Sequence, residues 1–244
     1  EEFDDLWHNF DRLHPVQAGS AGHHALKFVA GFMTQIQIKL LSQQATDRLR
    51  SLKLLLALQV AGVFQKEVFA TANDPVSEVR AVAMSALGCI GEATSRRILE
   101  RAINDESPLV QAAAIDALDY MGAKPRPEMI LPKTEHDDPD VRAAAIRSLL
   151  KMQVPQGATA LVQMLRDPRP EHRCGALWIA DQLRLAALAP RIRELENRDA
   201  DPRIARIAQH VVKRLERQPR TVAPSSTTSS DPGPRRSAEV QAML

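Results

Sequence analysis

The chain of 244 residues writes one stretch several times, with a period near 31. Val79, Val110 and Val141 stand 31 residues apart, His172 follows Val141 by 31, and Ile204 follows His172 by 32. A proline precedes each by two or four positions, at Pro75, Pro108, Pro139, Pro170 and Pro202. An aspartate stands at or near each start: Asp74, Asp105, Asp138, Asp167 and Asp201. An N-cap aspartate accepts hydrogen bonds from the free amides of a helix's first turn. Proline is tolerated there because its missing N–H would have been unbonded anyway. Five helix openings are therefore expected.

The columns inside these helices repeat as well. Three and four residues after the reference position stand Val82/Ala83, Ala113/Ala114, Ala144/Ala145, Gly175/Ala176 and Ile207/Ala208. Seven and eight after it stand Ala86/Leu87, Ala117/Leu118, Ser148/Leu149, Ile179/Ala180 and Val211/Val212. These spacings mark one face of an α-helix, and the small side chains admit a close neighbour. That neighbour is the segment between openings. "ATSRRILERAI", "GATALVQML" and "APRIRELEN" read as short helices leading back to the next opening. "RPEMILPKTEHDDP" carries Pro125, Pro127 and Pro132 in or beside it, so its helix must be short or broken. "TDRLRSLKLLLALQVAG" reads as a less regular copy in which Leu49 and Arg50 match Val79 and Arg80, and "HALKFVAGFMTQIQIKLL" as a helix before it.

One helix pair cannot bury its apolar face alone, so the pairs stack. The expected fold is all-α, a right-handed α-α superhelix of about five to six antiparallel helix pairs, with the second helices on the concave side. Aromatics are only 4% of the chain, which fits closely packed helices better than sheets. Residues 1–44 form an irregular helical cap, 45–217 the repeat stack, and 218–244 a tail. The tail contains "QPRTVAPSSTTSSDPGPRR", which lacks large apolar groups and is expected to be disordered. Its end, "SAEVQAML", reads as a frayed terminus, with a short helix formed on a partner as the alternative.

Asp-x-x-x-Val-Arg followed by Ala-Ala-x-x-Ala-Leu resembles the second helix of HEAT repeats, especially the short bacterial kind also seen in phycobilisome-lyase relatives. The matching stretches are 74–88, 105–118 and 138–150, with 167–180 and 201–212 departing further. The resemblance spans residues 45–216 and implies an α-solenoid that binds protein partners, most often without catalysis.

A net charge of +2 gives no general argument for nucleic-acid binding. Cys89 and Cys174 are far apart and form no disulfide framework; two reduced thiols suit the cytoplasm. No stretch approaches the length of uncharged apolar chain that spans a bilayer. The start, "EEFDDLWHNF", has no signal-peptide pattern and reads as a cut in something longer.

Three groups of residues are candidates for chemistry. Arg50, Arg80, Arg142 and Arg173, with Gln111 in one place, form a column that reads as anchors for repeat-start aspartates rather than as an anion ladder. The column six after the reference holds Ser85, Asp116, Arg147, Trp178 and His210. It accepts any residue type and is expected to face solvent. Trp178 there is either an exposed interface anchor or the filler of a gap left by Gly175. Asp116, Arg147, Trp178, Asp181 and His210 are accordingly the expected partner-binding residues. Among the histidines, His8, His14, His23 and His24 show no fixed carboxylate companion and are not read as metal ligands. Glu135-His136 and Glu171-His172 reverse the His-Glu order of HEAT-repeat hydroxylases. Trp178 with Asp181 is similar to the aromatic and acidic pair of HEAT-like DNA glycosylases. Such a pocket needs more aromatics and a basic channel. Cofactor attachment of the lyase type rests on repeat similarity alone. The expected function is a non-catalytic scaffold for a protein partner, with no metal and no cofactor, and with the alkylbase glycosylase-type or lyase-type enzyme as the alternative.

Overall fold

The chain enters every second helix of a repeat through the same turn. The structure, a computed structural model, describes residues 22–217. The expectations for the 218–244 tail, Trp7, His8 and His14 fall outside those residues, as do the side chains of His23 and His24. Among the described residues six second helices occur: α2 (Ala45–Ala57), α4 (Ser77–Ile90), α6 (Pro108–Tyr120), α8 (Pro139–Lys151), α10 (Pro170–Gln182) and α12 (Pro202–Glu216). Their N-caps are Gln44, Val76, Ser107, Asp138, Arg169 and Asp201, all in extended conformation. Two residues ahead of each N-cap a polar side chain accepts the N-cap's backbone N–H. These acceptors are Ser42, Asp74, Asp105, His136, Asp167 and Asp199, at 2.9–3.1 Å. This is the local turn that such side chains favour over continued helix.

The aspartates therefore fall into two columns, where the sequence suggests one. Asp138 and Asp201 cap their helices directly, Asp138 accepting from the amides of Asp140 and Val141 and Asp201 from that of Arg203. Asp74, Asp105 and Asp167 lie in the preceding turn and cap nothing. The first repeat also shifts: Asp47 and Arg48, not Leu49 and Arg50, match Val79 and Arg80. The reason is that Ser42 performs the aspartate's task two residues before Gln44.

The first helices are α1 (Gly22–Leu40), α3 (Gln65–Thr71), α5 (Ala93–Ala102), α7 (Pro127–Ile130), α9 (Pro155–Met164) and α11 (Ala189–Arg198). Helix α7 is a single turn that passes into a 3-10 segment, Leu131–Glu135, where Pro132 removes an amide donor. With the rest helical and no strand among the described residues, the chain is all-α and folds as stacked HEAT-like helix pairs.

Two compact units divide the chain at Pro125/Arg126. In the first, α4 packs between α2 and α6, with α3 and α5 along its side. Phe64, Val68, Val79, Met84, Leu87, Leu99, Ile103 and Leu118 fill its interior. In the second, α10 packs between α8 and α12, with α9 beside it and α11 against α12. Its core includes Ile146, Leu161, Met164, Leu177, Ile179, Leu188, Ile192 and Leu215. The expected columns are the buried ones: Ala83, Ala114, Ala145, Ala176 and Ala208 are all inaccessible to solvent. Two glycines mark where helices meet most closely. A Cβ on Gly88 would stand 2.9 Å from that of Ala117, and one on Gly157 2.9 Å from that of Leu149.

The second helices α2, α4, α6, α8 and α10 end alike, whereas α12 ends at Arg217 in right-handed conformation. Gln59, Gly91, Gly122, Gln153 and Arg184 take positive φ, between 54° and 72°. After four of them the next amide reaches back to the last turn: Val60 to Leu55, Ala123 to Leu118, Val154 to Leu149 and Leu185 to Ala180. This left-handed cap satisfies the carbonyls that a helix end leaves open.

Candidate interaction surface

The arginine column is structural. Arg80 reaches from α4 to Asp105, Arg142 from α8 to Asp167, and Arg173 from α10 to Asp199. Each carboxylate belongs to the turn that opens the following repeat. Arg48, not Arg50, makes the equivalent pair with Asp74. Arg48, Arg80 and Arg173 also donate to the carbonyl six residues behind them, that of Ser42, Asp74 and Asp167. Gln111 keeps this inward bond, to Asp105, and being uncharged brings no cation. In the sequence, the repeat that replaces arginine with Gln111 is followed by the repeat that replaces aspartate with His136.

These pairings set the carboxylates' titration. Burial pushes Asp74 and Asp105 up, but hydrogen bonds from Arg48 and Arg80 and from the turn amides outweigh it and hold both below the usual range. Asp167 lies lower still, first through its hydrogen bond from Arg169, with the Arg169 amide and Arg142 adding to it against burial. With these cations engaged, the column offers no free anion-binding row.

The variable column is different. Ser85, Asp116, Trp178 and His210 are exposed. Trp178 leaves 43% of its surface open to solvent. It does not fill the space beside Gly175, because a Cβ there would meet the Met164 Cε at 2.9 Å. Methionine from α9 has taken that space, so the gap-filling reading of Trp178 is replaced by the exposed one. Arg147 departs from its column. It is only 7% exposed, because its guanidinium lies over the Trp178 ring, 5.2 Å from the centroid, with its stem covered. Such a contact contributes about 0.5–2 kcal/mol, more as it is desolvated. It also sets the guanidinium against one face of the ring.

One turn beyond Trp178, Asp181 bonds Arg214 of α12 at 2.7 Å and lies 3.7 Å from Arg184. Arg214 is the residue that sequence reading misses: an arginine among the basic residues that close α12 carries no mark of its role until its carboxylate is located. His210 lies one turn before Arg214 on α12. The second unit thus brings Arg147, Trp178, Asp181, Arg214 and His210 onto α8, α10 and α12. Asp116 belongs to α6 of the first unit and is exposed there.

Among the described residues, no group of three His, Cys, Asp or Glu side chains is placed to hold a metal ion. No described helix is long and apolar enough to cross a membrane. Cys89 and Cys174 are both free thiols. The family model for HEAT repeats matches residues 66–130 and 127–213. No curated protein matches the chain.

Proposed function

The chain belongs to the HEAT-repeat family, and on that premise we propose that it is a non-catalytic scaffold whose second helices receive a protein partner. HEAT repeats form helical scaffolds commonly used for protein interaction. The observation that carries the reading is Trp178, a large aromatic left open to solvent and backed by a buried arginine. Exposed tryptophan costs solubility, and an aromatic platform is the type of residue that dominates binding energy at interfaces. Asp181 and Arg214 hold α10 to α12 beside it, which keeps the surface preformed and lowers the ordering cost of binding. Arg147 stacks on the tryptophan, Asp181 stands one turn on along α10, His210 occupies the equivalent position of α12, and Asp116 offers a further exposed carboxylate on the first unit. The free cysteines support a cytoplasmic setting.

The test is affinity capture from the source cell's lysate with wild type, Trp178→Ala and Arg147→Glu, across a salt series. Wild type is expected to retain a protein that both variants lose while their melting temperatures show a folded chain. Capture of nucleic acid, released steeply as salt rises, would instead support the glycosylase-type alternative.

A further inference from the structure

Helix α12 ends the described stack, and its outward side reverses the chemistry of the columns it continues. Two residues after the reference position, Ala81, Ala112 and Ala143 are buried and Cys174 is half-buried; in α12 the same column holds the exposed Arg206. Nine residues after it stand the buried Gly88 and Leu150 and the half-buried Asp119 and Asp181; in α12 the column holds the exposed Lys213. In the inner repeats these columns meet the next repeat, as Gly88 meets Ala117 and Ala143 approaches Gly175.

Arg206, His210, Lys213 and Arg217 follow one another at spacings of four, three and four, and therefore form one strip along the helix. All four are exposed. Arginines on the flanks are neutralised, Arg203 by Asp201 and Arg214 by Asp181. Glu216, the one acidic residue of α12, is engaged by Arg193. Among the described residues, no carboxylate pairs with Arg206, Lys213 or Arg217. A polar end face needs charge of mixed sign only; like charges at these spacings repel and cost helix stability. The strip is a local excess in a chain whose net charge is only +2.

We propose that the outward face of α12 is a docking site for an acidic peptide segment of a protein partner. The strip spans about 16 Å at 1.5 Å per residue, the reach of a short peptide. Along α12 the strip comprises four positions, short of the long basic track that a phosphate backbone requires. Complementary charge here sets encounter rate and orientation, and it is screened by salt. The inference rests on the reading of the chain as an interaction protein and adds a second surface, which shares His210 with the first but is basic where that one is aromatic.

The experiment is fluorescence anisotropy of a labelled peptide repeating Glu-Glu-Phe, titrated with wild type, Arg206→Glu/Lys213→Glu, Arg206→Gln/Lys213→Gln and Trp178→Ala. A single-stranded oligothymidylate is the control. Binding by wild type is expected, weakened at least about tenfold by charge reversal, less by neutralisation, and by raised salt. The glutamine pair guards against a folding defect in the reversed one. Binding that is insensitive to both charge pairs but lost in Trp178→Ala would overturn this inference and leave the scaffold reading standing. Absence of peptide binding, or tighter binding of the oligonucleotide, would also overturn it.

Discussion

Arg173 holds Asp199 through two parallel hydrogen bonds, Nε to Oδ2 at 2.8 Å and Nη2 to Oδ1 at 2.7 Å. The guanidinium stands on α10 and the carboxylate in the turn that opens α12, so one pair ties consecutive repeats together. Both side chains are largely covered, 11% and 2% exposed. Truncating the carboxylate leaves a covered cation with two lost acceptors. Asp199→Ala is expected to cost about 2–4 kcal/mol, between the values for exposed and fully buried pairs. Urea unfolding measures it. Arg173→Gln with Asp199→His, which copies the residues at Gln111 and His136, should lose less than the sum of its two single changes.

Acid should loosen the fold in a defined order. Asp74, Asp105 and Asp167 titrate below their unfolded value near 4. Their contribution is complete above that value and is lost as pH falls through the lowered folded ones. His172 is also lowered, first by burial and then by Arg169, which outweigh Asp167 and the hydrogen bond to the Asp137 carbonyl. Its neutral form is the native one. Stability from His172 is therefore present above about pH 6.5 and declines as pH falls through its folded value. Melting temperature against pH should fall gently below neutrality and steeply in the carboxylate range. His172→Gln should flatten the first decline and leave the second.

Ser148 occupies a column that holds Ala86 and Ala117 in other repeats. It is fully buried, and its hydroxyl has no hydrogen-bond partner among the described residues. Ser148→Ala removes an unsatisfied group at nearly constant volume and should stabilise the chain by about 1 kcal/mol, read as a higher urea midpoint.

The left-handed caps offer a paired test. Gln59 and Gly91 hold the same place with φ of 58° and 72°. A side chain at such φ costs about 1 kcal/mol, offset in part by the entropy that glycine brings to the unfolded state. Gln59→Gly should therefore stabilise by about 0.5 kcal/mol and Gly91→Ala should destabilise by about 1 kcal/mol. A common sign for both changes would contradict a shared cap geometry.

Much of the fold is legible in the sequence because its strongest constraint is periodic. A column such as Ala83, Ala114, Ala145, Ala176 and Ala208 repeats only where helices must meet closely. The turn chemistry is less legible. Asp138 and Asp167 both stand near a proline, yet one caps a helix and the other anchors a turn two residues ahead of an N-cap. Ser42 and His136 perform the same turn function without being aspartate, which is why the first repeat slips by two residues on a sequence reading. Nothing in Gln59, Gln153 or Arg184 announces a left-handed backbone, since glycine is the usual sign. At the candidate surface, Trp178 is recognisable as an odd residue in an exposed column. The burial of Arg147 beneath it and the engagement of Asp181 by Arg214 arise from contacts between repeats, and no local pattern encodes them.

The measurement that tests the scaffold account most directly is hydrogen–deuterium exchange of the full chain, free and bound to the captured partner. The account predicts slowed exchange along α10 and α12, around Trp178 and His210, with the first helices α9 and α11 unchanged. Protection confined to α9 and α11, with α10 and α12 exchanging as in the free chain, would contradict it.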